Sequence, residues 1–280
     1  PVSGIDFEVA VVIPTHNRSA VVGRAVHSVL NQTRPPSEVI VVDDGSTDGT
    51  TAMLKSRFQD RIRVVIQKQQ GVAAARNTGI AASSAGLIAL LDSDDVWLPE
   101  KLAHQVAFLR EGGWRICQTE EIWIRKGKRV NPGFKHAKPS GWILEPSLHM
   151  CLVSPSCVLF GRELWDRCGP FDPNLPACED FDLWLRVASQ YPVGVLPKPL
   201  VEKYGGHADQ LSQRIIGLDL YRIYALHKLV RQPELSGAQR ALAQAALVKR
   251  ARLYAQGCLK RAKPEEAARV WELVHPWSQS

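Results

Sequence analysis

Leu87-Ile88-Ala89-Leu90-Leu91-Asp92-Ser93-Asp94-Asp95-Val96-Trp97-Leu98 decides how this chain is read. The stretch begins as a continuous apolar run of strand length, which suits a strand covered on both faces, as in a parallel sheet. It then turns acidic, with Asp92, Asp94 and Asp95 in close succession. In open α/β sheets, ligands sit just beyond the carboxyl ends of the strands. Carboxylates crowded there repel one another unless a cation joins them. Hard oxygen donors suit Mg²⁺ or Mn²⁺, which bind through one or two carboxylates together with substrate phosphates. The stretch therefore predicts a metal–diphosphate site at the tip of a central strand. The competing expectation is a solvated turn that caps the next helix.

Upstream, strands and helices alternate. Val9 to Ile13 is a β-branched run stopped by Pro14, and Thr15-His16-Asn17-Arg18 is a polar loop. Ser19 to Leu30 is helical in pattern, with Val22, Val26, Val29 and Leu30 on one face and Ser19 as N-cap. Glu38 to Val42 is a second strand, ending in Asp43-Asp44-Gly45-Ser46-Thr47-Asp48. Thr47 or Asp48 caps a helix reaching about Phe58, and Ile62 to Ile66 is a third strand. Gly71 opens a helix from Val72 to Ser83 that carries Arg76 and Asn77. This alternation predicts a parallel sheet with right-handed crossovers. One acidic strand end is easily a helix cap, whereas two in one parallel sheet can converge on a single ligand.

Downstream, Pro99 is expected at the first position of a helix that ends at Gly112-Gly113. Trp114 to Arg125 reads as strands, and Lys126 to Lys138 as a basic loop. Ser154 to Phe160 is a strand and Gly161 to Cys168 a short helix. A helix begins at Glu179, where the macrodipole favours carboxylates at Glu179 and Asp180, and Val193 to Leu196 is the last strand. From Ile216 to Trp277 the pattern is helical, broken at Pro233, Gly237 and Pro264. Between Arg240 and Lys263 there are seven Lys or Arg and no acid, while Leu247, Ala251, Tyr254 and Cys258 fall at helical spacing on one face. A basic amphipathic helix of this kind can lie on anionic membrane, or pack on its own domain with the charges solvated.

The 280 residues suffice for one large or two small domains, and 45% hydrophobic with 22% charged residues is ordinary for a globular chain. A net charge of +7 favours an anionic partner without choosing among nucleotides, nucleic acid and lipid headgroups. The six cysteines show neither Cys-x-x-Cys nor zinc spacing, so they are expected as reduced thiols. No apolar run is long enough to span a bilayer, and no basic leader precedes an apolar block. The expected location is therefore cytoplasmic, with peripheral attachment at the inner membrane face as an option.

Four segments occur in order: Val11 through Pro14-Thr15-His16-Asn17-Arg18, Val41 through Asp48, Gly71 through Arg76-Asn77, and Leu90 through Asp95. Together they resemble the family 2 glycosyltransferases. Glu179-Asp180 with Asp182-Leu183-Trp184-Leu185, and His207 with Gln210-Leu211-Ser212, extend the resemblance over roughly residues 8 to 212. It implies an α/β GT-A fold, Rossmann-like with a mostly parallel central sheet. That domain would span 1–212, with a nucleotide-sugar half to about 110 and an acceptor half beyond it. A helical C-terminal extension would fill 213–280. It also implies inverting transfer of a hexosyl unit from a nucleotide-sugar, a UDP-sugar above all, to an acceptor hydroxyl. By family habit this belongs to surface-polysaccharide or glycolipid assembly.

The resemblance places Pro14, Thr15, Asn17, Arg18, Asp43, Asp44, Gly71, Arg76, Asn77, Asp92 and Ser93 around the nucleotide-sugar. Asp92 and Asp94 match the Asp-x-Asp pair, with Asp94 as ligand to Mn²⁺ or Mg²⁺ and His207 completing the metal site. Of the candidate catalytic carboxylates Glu179 and Asp180, Asp180 matches the position of the base. The implied partners are the donor and a glycan, glycolipid or other hydroxyl acceptor, and not nucleic acid. The chemistry agrees: inversion needs a carboxylate to take the hydroxyl proton and a cation opposite to neutralise the departing diphosphate. The alternatives are a nucleotidyltransferase acting on sugar phosphates and a non-catalytic nucleotide-sugar binder.

Overall fold

The computed structural model describes residues 7–131, 133, 136–206 and 217–277. Four parallel strands open the chain: β1 (Val9–Thr15), β2 (Glu38–Asp44), β3 (Arg63–Gln67) and β4 (Leu87–Leu90). Helices α1 (Val22–Leu30), α2 (Thr50–Phe58) and α3 (Val72–Ala81) connect them. There follow β5 (Val96–Trp97), α4 (Lys101–Gly112), β6 (Ile116–Arg125), β7 (Lys128–Val130) and α5 (Leu144–Ser147). Next come β8 (Val158–Gly161), α6 (Arg162–Cys168), α7 (Glu179–Ala188) and β9 (Gly194–Gly205). Helices α8 (Leu218–Val230), α9 (Gly237–Lys260) and α10 (Pro264–Val274) complete the described chain.

The described strands form one sheet in the order β3-β2-β1-β4-β8-β6-β9-β5, with β7 paired to β6. The first half is parallel as expected. The second half is mixed, because β8 runs antiparallel to both β4 and β6 while β9 runs parallel to β6.

Strand period explains the layers. Val12, Ile40, Val42, Ile88 and Leu90 face one core with α3, α7 and the C-terminal helices. Val11, Ile13, Val39, Val41, Leu87 and Ala89 face the other, with α1, α2 and α4. Both faces are covered, which is why these strands read as unbroken apolar runs. Gly79 lets α3 lie close on the sheet: a Cβ there would stand 2.3 Å from Val12 Cγ1.

Several boundaries differ from expectation. β1 passes through Pro14. Val12 offers its carbonyl to Leu91 on the β4 side, and Pro14, two residues on, faces that side beyond the end of β4. Its missing N–H therefore costs no ladder bond. α1 starts at Val22, and Ser19 instead donates its N–H to Asp48 at 3.0 Å. α4 starts at Lys101, so Pro99 lies before the helix and accepts from Thr33. β9 is twelve residues long, although Pro197 and Pro199 lie inside it. A shift in its register with β6 at Thr119–Glu121 accommodates them. The basic 126–138 segment contains β7, hairpin-paired with β6.

The C-terminal helices are not appended loosely. α8 packs on α7 and α9 packs on α8 and α10. Most of their buried residues, from Ile223 to Ala251 with Val270 and Val274, belong to the same cluster as Val12 and Phe160, while Ala255, Cys258 and Ala267 form a small cluster between α9 and α10. In the stripe expected on α9, Leu247, Ala251 and Cys258 are fully buried and Tyr254 is half-buried. All six cysteines are unpaired. No helix among the described residues is long and apolar enough to cross a membrane.

Candidate active site

The carboxyl ends of β1, β2 and β4 and the start of α7 open into one cleft of about 710 Å³. Pro14, Thr15, Asn17, Arg18, Asp44, Gly71, Arg76, Asp92, Ser93, Asp94, Glu179 and Asp180 all line it. Two of the expected donor-binding residues do not. Asp43 points away from the cleft and organises the turn after β2, accepting from Ser46 N at 2.9 Å and from the Thr51 hydroxyl. Asn77 is engaged at both ends of its amide by the Phe171 backbone, at 2.8 and 3.0 Å, and so joins α3 to the loop before α7. His207 lies outside the described residues.

The wall at the ends of β1 and β2 is a set of interlocked loops. Asn17 has a left-handed backbone (φ 51°), accepts from Thr47 N through Oδ1 at 2.8 Å and donates its N–H to Ser46. Arg18 N donates to Thr50 Oγ1 at 3.0 Å. His16 Nδ1 lies 2.8 Å from the Asp44 carbonyl and therefore carries the proton, leaving Nε2 to accept from Asn17 and Gln69. Asp44 takes Gln67 Nε2 and Gln70 N on one oxygen and Gly71 N on the other, at 2.7–2.8 Å. Asp44 thus fixes the loop that opens α3, where Gly71 has φ 92° and only glycine is at ease.

Arg76 is the joint of the site. Its Nη2 donates to Asp92 at 2.8 Å and its Nη1 to Glu179 at 2.6 Å. One buried guanidinium thereby ties the tip of β4 to the start of α7. Burial opposes its charge, but Asp92 and Glu179 outweigh that cost and hold its pKa above the ordinary arginine value. Glu179 is pushed up to about 7, by burial first and Asp180 second, against the pull of Arg76. Asp180 sits in the first turn of α7, with Oδ1 accepting from Phe181 N at 2.7 Å and Oδ2 3.5 Å from the Cys151 thiol. Asp182 is a scaffold residue, paired to Arg186 and Lys228 at 2.9 Å.

The Glu179 shift has a measurable consequence. The folded chain holds that proton more tightly than the unfolded chain, whose carboxyl has the ordinary value of 4.5. Its contribution to stability is complete below about pH 4.5 and is lost as pH rises through about 7. Glu179→Gln cannot titrate. The difference in Tm, wild type minus variant, should fall by several degrees from pH 4.5 to above 7 in thermal denaturation scans. A flat difference would mean that Glu179 is ionised throughout.

Asp94 faces the cleft with its Oδ2 4.0 Å from Arg18, and Arg24 donates to its backbone carbonyl at 2.8 Å. Among the described residues no three His, Cys, Asp or Glu side chains gather closely enough to hold a metal by themselves. The donors present, the Asp94 and Asp92 oxygens, fit a hard cation shared with a diphosphate and do not fit an all-protein cage. Asp95 is buried and committed, accepting from Ser156 Oγ at 2.6 Å and Tyr204 N at 2.9 Å. It anchors the Asp-rich turn to β9.

Lys203, Cys151, Cys178, Leu218 and Arg222 also line the cleft, and sequence reading missed them. Lys203 donates to Ser154 Oγ at 3.2 Å. Burial alone would lower its pKa, but Glu121, Asp95 and Asp92 outweigh it and raise it. None of the five stands in a motif. Each reaches the cleft through a long-range contact, and Lys203 does so from a strand whose prolines disguise it.

The glycosyl transferase family 2 model matches residues 10–144. TuaG of Bacillus subtilis, named for teichuronic acid biosynthesis, is 32% identical over 181 residues, covering 63% of this chain and 70% of that protein. WfgD of Escherichia coli is named a UDP-Glc:α-D-GlcNAc-diphosphoundecaprenol β-1,3-glucosyltransferase. It is 28% identical, covering 65% of this chain and 70% of that protein. A Rickettsia bellii glycosyltransferase is 33% identical over 70% of this chain, which spans only 28% of that protein's length. Two other Rickettsia relatives are spanned to 32% each. Among solved structures, S. aureus TarS 1–349 with UDP-GlcNAc superposes with a TM-score of 0.76 at 19% identity, over 96% of this chain and 80% of that one. The mannosyltransferase PcManGT of Pyrobaculum calidifontis, with GDP-Man and Mn²⁺, gives 0.64 at 18% identity, over 100% and 86%. The two structural likenesses identify the fold as GT-A, and on the family model and the identity to TuaG the chain belongs to glycosyl transferase family 2.

Proposed function

We propose that the cleft transfers a sugar, with inversion, from a UDP-sugar to an acceptor hydroxyl in surface-polysaccharide or glycolipid assembly. The observation that carries this reading is the Arg76 bridge, which fixes Asp92 and the Glu179-Asp180 corner in one rigid unit. The donor nucleotide lies along Pro14–Arg18, Asp44 and Gly71, with Asp92 at the ribose and Asp94 toward the diphosphate. Asp43 and Asn77 serve that surface from behind, by holding the loops that form it. A bound divalent cation supplies Lewis-acid neutralisation of the departing diphosphate. Asp180 takes the proton of the acceptor hydroxyl as the new bond forms. The 1–212 part supplies these groups. The likeness to WfgD, named for a UDP-Glc donor and a lipid-diphosphate acceptor, and to TarS with UDP-GlcNAc, supports the donor and acceptor classes.

The test is a panel of UDP-, GDP- and dTDP-sugars, with and without Mn²⁺, scored for binding and slow hydrolysis. Metal-dependent binding of a UDP-sugar is expected, and Asp94→Ala should abolish the metal-dependent part. No metal-dependent binding, or pyrophosphate release from a sugar phosphate with a nucleoside triphosphate, would contradict the reading.

Lipid-linked substrates also suit the outer face of α9. Leu242, Lys249, Leu253 and Lys260 share one exposed stripe, with Leu259 and Arg252 beside it, and α9 carries no acid. We read this face as a peripheral contact with anionic membrane. Liposome flotation should show salt-sensitive binding to anionic vesicles that Leu253→Asp weakens. Equal binding to neutral vesicles would remove the contact.

A further inference from the structure

Beside Asp180 the start of α8 forms part of the cleft wall, and it carries a cation. Leu218 and Arg222, one helical turn apart on α8, both line the cleft. The Cys178 thiol points to the Leu218 carbonyl at 3.7 Å, which seats the start of α8 against the start of α7. Arg222 is close enough to Cys178 to bias that thiol electrostatically, as Asp180 does from the other side. Beside it the cleft is lined by Cys151, Ala177, Cys178, Phe181 and Leu218, and the other buried cations of the same cleft are already matched by carboxylates, Arg76 by Asp92 and Glu179 and Lys203 by Glu121 and Asp95.

Arg222 is held without being neutralised. Its Nη1 donates to Asp219 Oδ1 at 3.1 Å, and Arg250 donates to the same oxygen at 2.7 Å. Arg250 is itself braced by the His149 carbonyl at 2.9 Å. Two guanidinium groups thus share one carboxylate. Asp219 takes one of the five N–H donors of Arg222, whose side chain is 31% exposed.

An acceptor entering here meets Glu179 and Asp180. A neutral sugar tolerates them, whereas an anionic one is repelled unless a fixed cation stands nearby. We propose that Arg222 recognises an anionic group on the acceptor, a phosphate ester or a sugar carboxylate next to the reacting hydroxyl, and so sets the acceptor class. This rests on the transferase reading and deepens it. The planar fork of an arginine suits either anion in bidentate fashion. It also gives the helical extension a place in the active site, since α8 presents the residue and α9, through Arg250, holds its partner.

The experiment is calorimetric, on the full chain with the donor half filled by UDP and Mn²⁺. The probes are octyl N-acetylglucosaminide, the corresponding octyl-diphosphate ester, and octyl glucuronide. Wild type should bind at least one anionic probe roughly tenfold or more tighter than the neutral one, as expected for a charge-assisted contact. Preference for the diphosphate assigns a phosphate acceptor, and preference for the glucuronide a carboxylate. Arg222→Gln should erase the preference while leaving UDP affinity unchanged, because Asp219 keeps Arg250. Arg222→Lys should restore part of it, which a merely structural role would not predict. Equal binding of all three probes, or a preference that survives Arg222→Gln, overturns the proposal. Failure of UDP itself to bind overturns the transferase reading beneath it.

Discussion

Asp180→Asn should leave UDP-sugar affinity unchanged and lower transfer by about 10²–10⁴-fold, the usual worth of a positioned general base. Asparagine keeps the size of the side chain and can still accept from Phe181 N, which holds Asp180 at 2.7 Å. The fold around α7 is insensitive to the change, because Phe181, Leu183 and Leu185 anchor that helix in the core. What is lost is the ability to receive a proton. The loss should fall on kcat with little effect on the donor KM, since the proposed donor site lies along the opposite wall. Steady-state kinetics with a competent acceptor measure this. Unchanged turnover would remove Asp180 from the reaction and return attention to Glu179.

Arg76→Ala should be the most damaging single change to the fold of the site. Arg76 is 3% exposed and Glu179 5%, so the substitution strands a buried carboxylate beside Asp180. Breaking one side of such a pair costs about 3–5 kcal/mol. Asp92 loses its anchor in the same step, and donor affinity should fall with it. The interesting variant is the double one. Arg76→Met with Glu179→Gln removes the buried charge along with its partner and should regain much of the stability, because a buried ion pair replaced by neutral groups is close to neutral overall. It should not regain transfer, because Asp92 is still unanchored. Urea unfolding of the two single variants and the double gives the coupling directly. Additive losses would mean that Arg76 and Glu179 act independently despite their 2.6 Å contact.

Much of this was legible in the chain, and the exceptions have physical causes. Apolar runs covered on both faces announced β1, β2 and β4, and the acidic tips at Asp44, Asp92 and Asp94 reach one cleft. The Asp43-Asp44 pair could not be divided by composition, although strand period does divide it. Adjacent residues point to opposite faces, and only Asp44 looks toward α3 and the cleft. For β9 the sequence pattern predicts only Val193 to Leu196, because the prolines that follow look like a stop. Asn77 sits one residue from Arg76 on α3, and helix geometry turns it toward Phe171 instead of the cleft. Lys203 and Arg222 carry no local signal at all, since each matters only through elements that are distant in sequence. The α9 stripe of Leu247, Ala251 and Cys258 was readable from spacing, but its role in bracing Asp219 through Arg250 was not.

The most direct measurement is a crystal soaked with a UDP-sugar and Mn²⁺, read by anomalous scattering from the metal. One manganese peak is expected against the Asp94 carboxylate, bridged to the diphosphate, with the anomeric carbon of the sugar turned toward Asp180. A peak away from Asp94, or a nucleotide bound outside the cleft between β1, β4 and α7, would contradict the account.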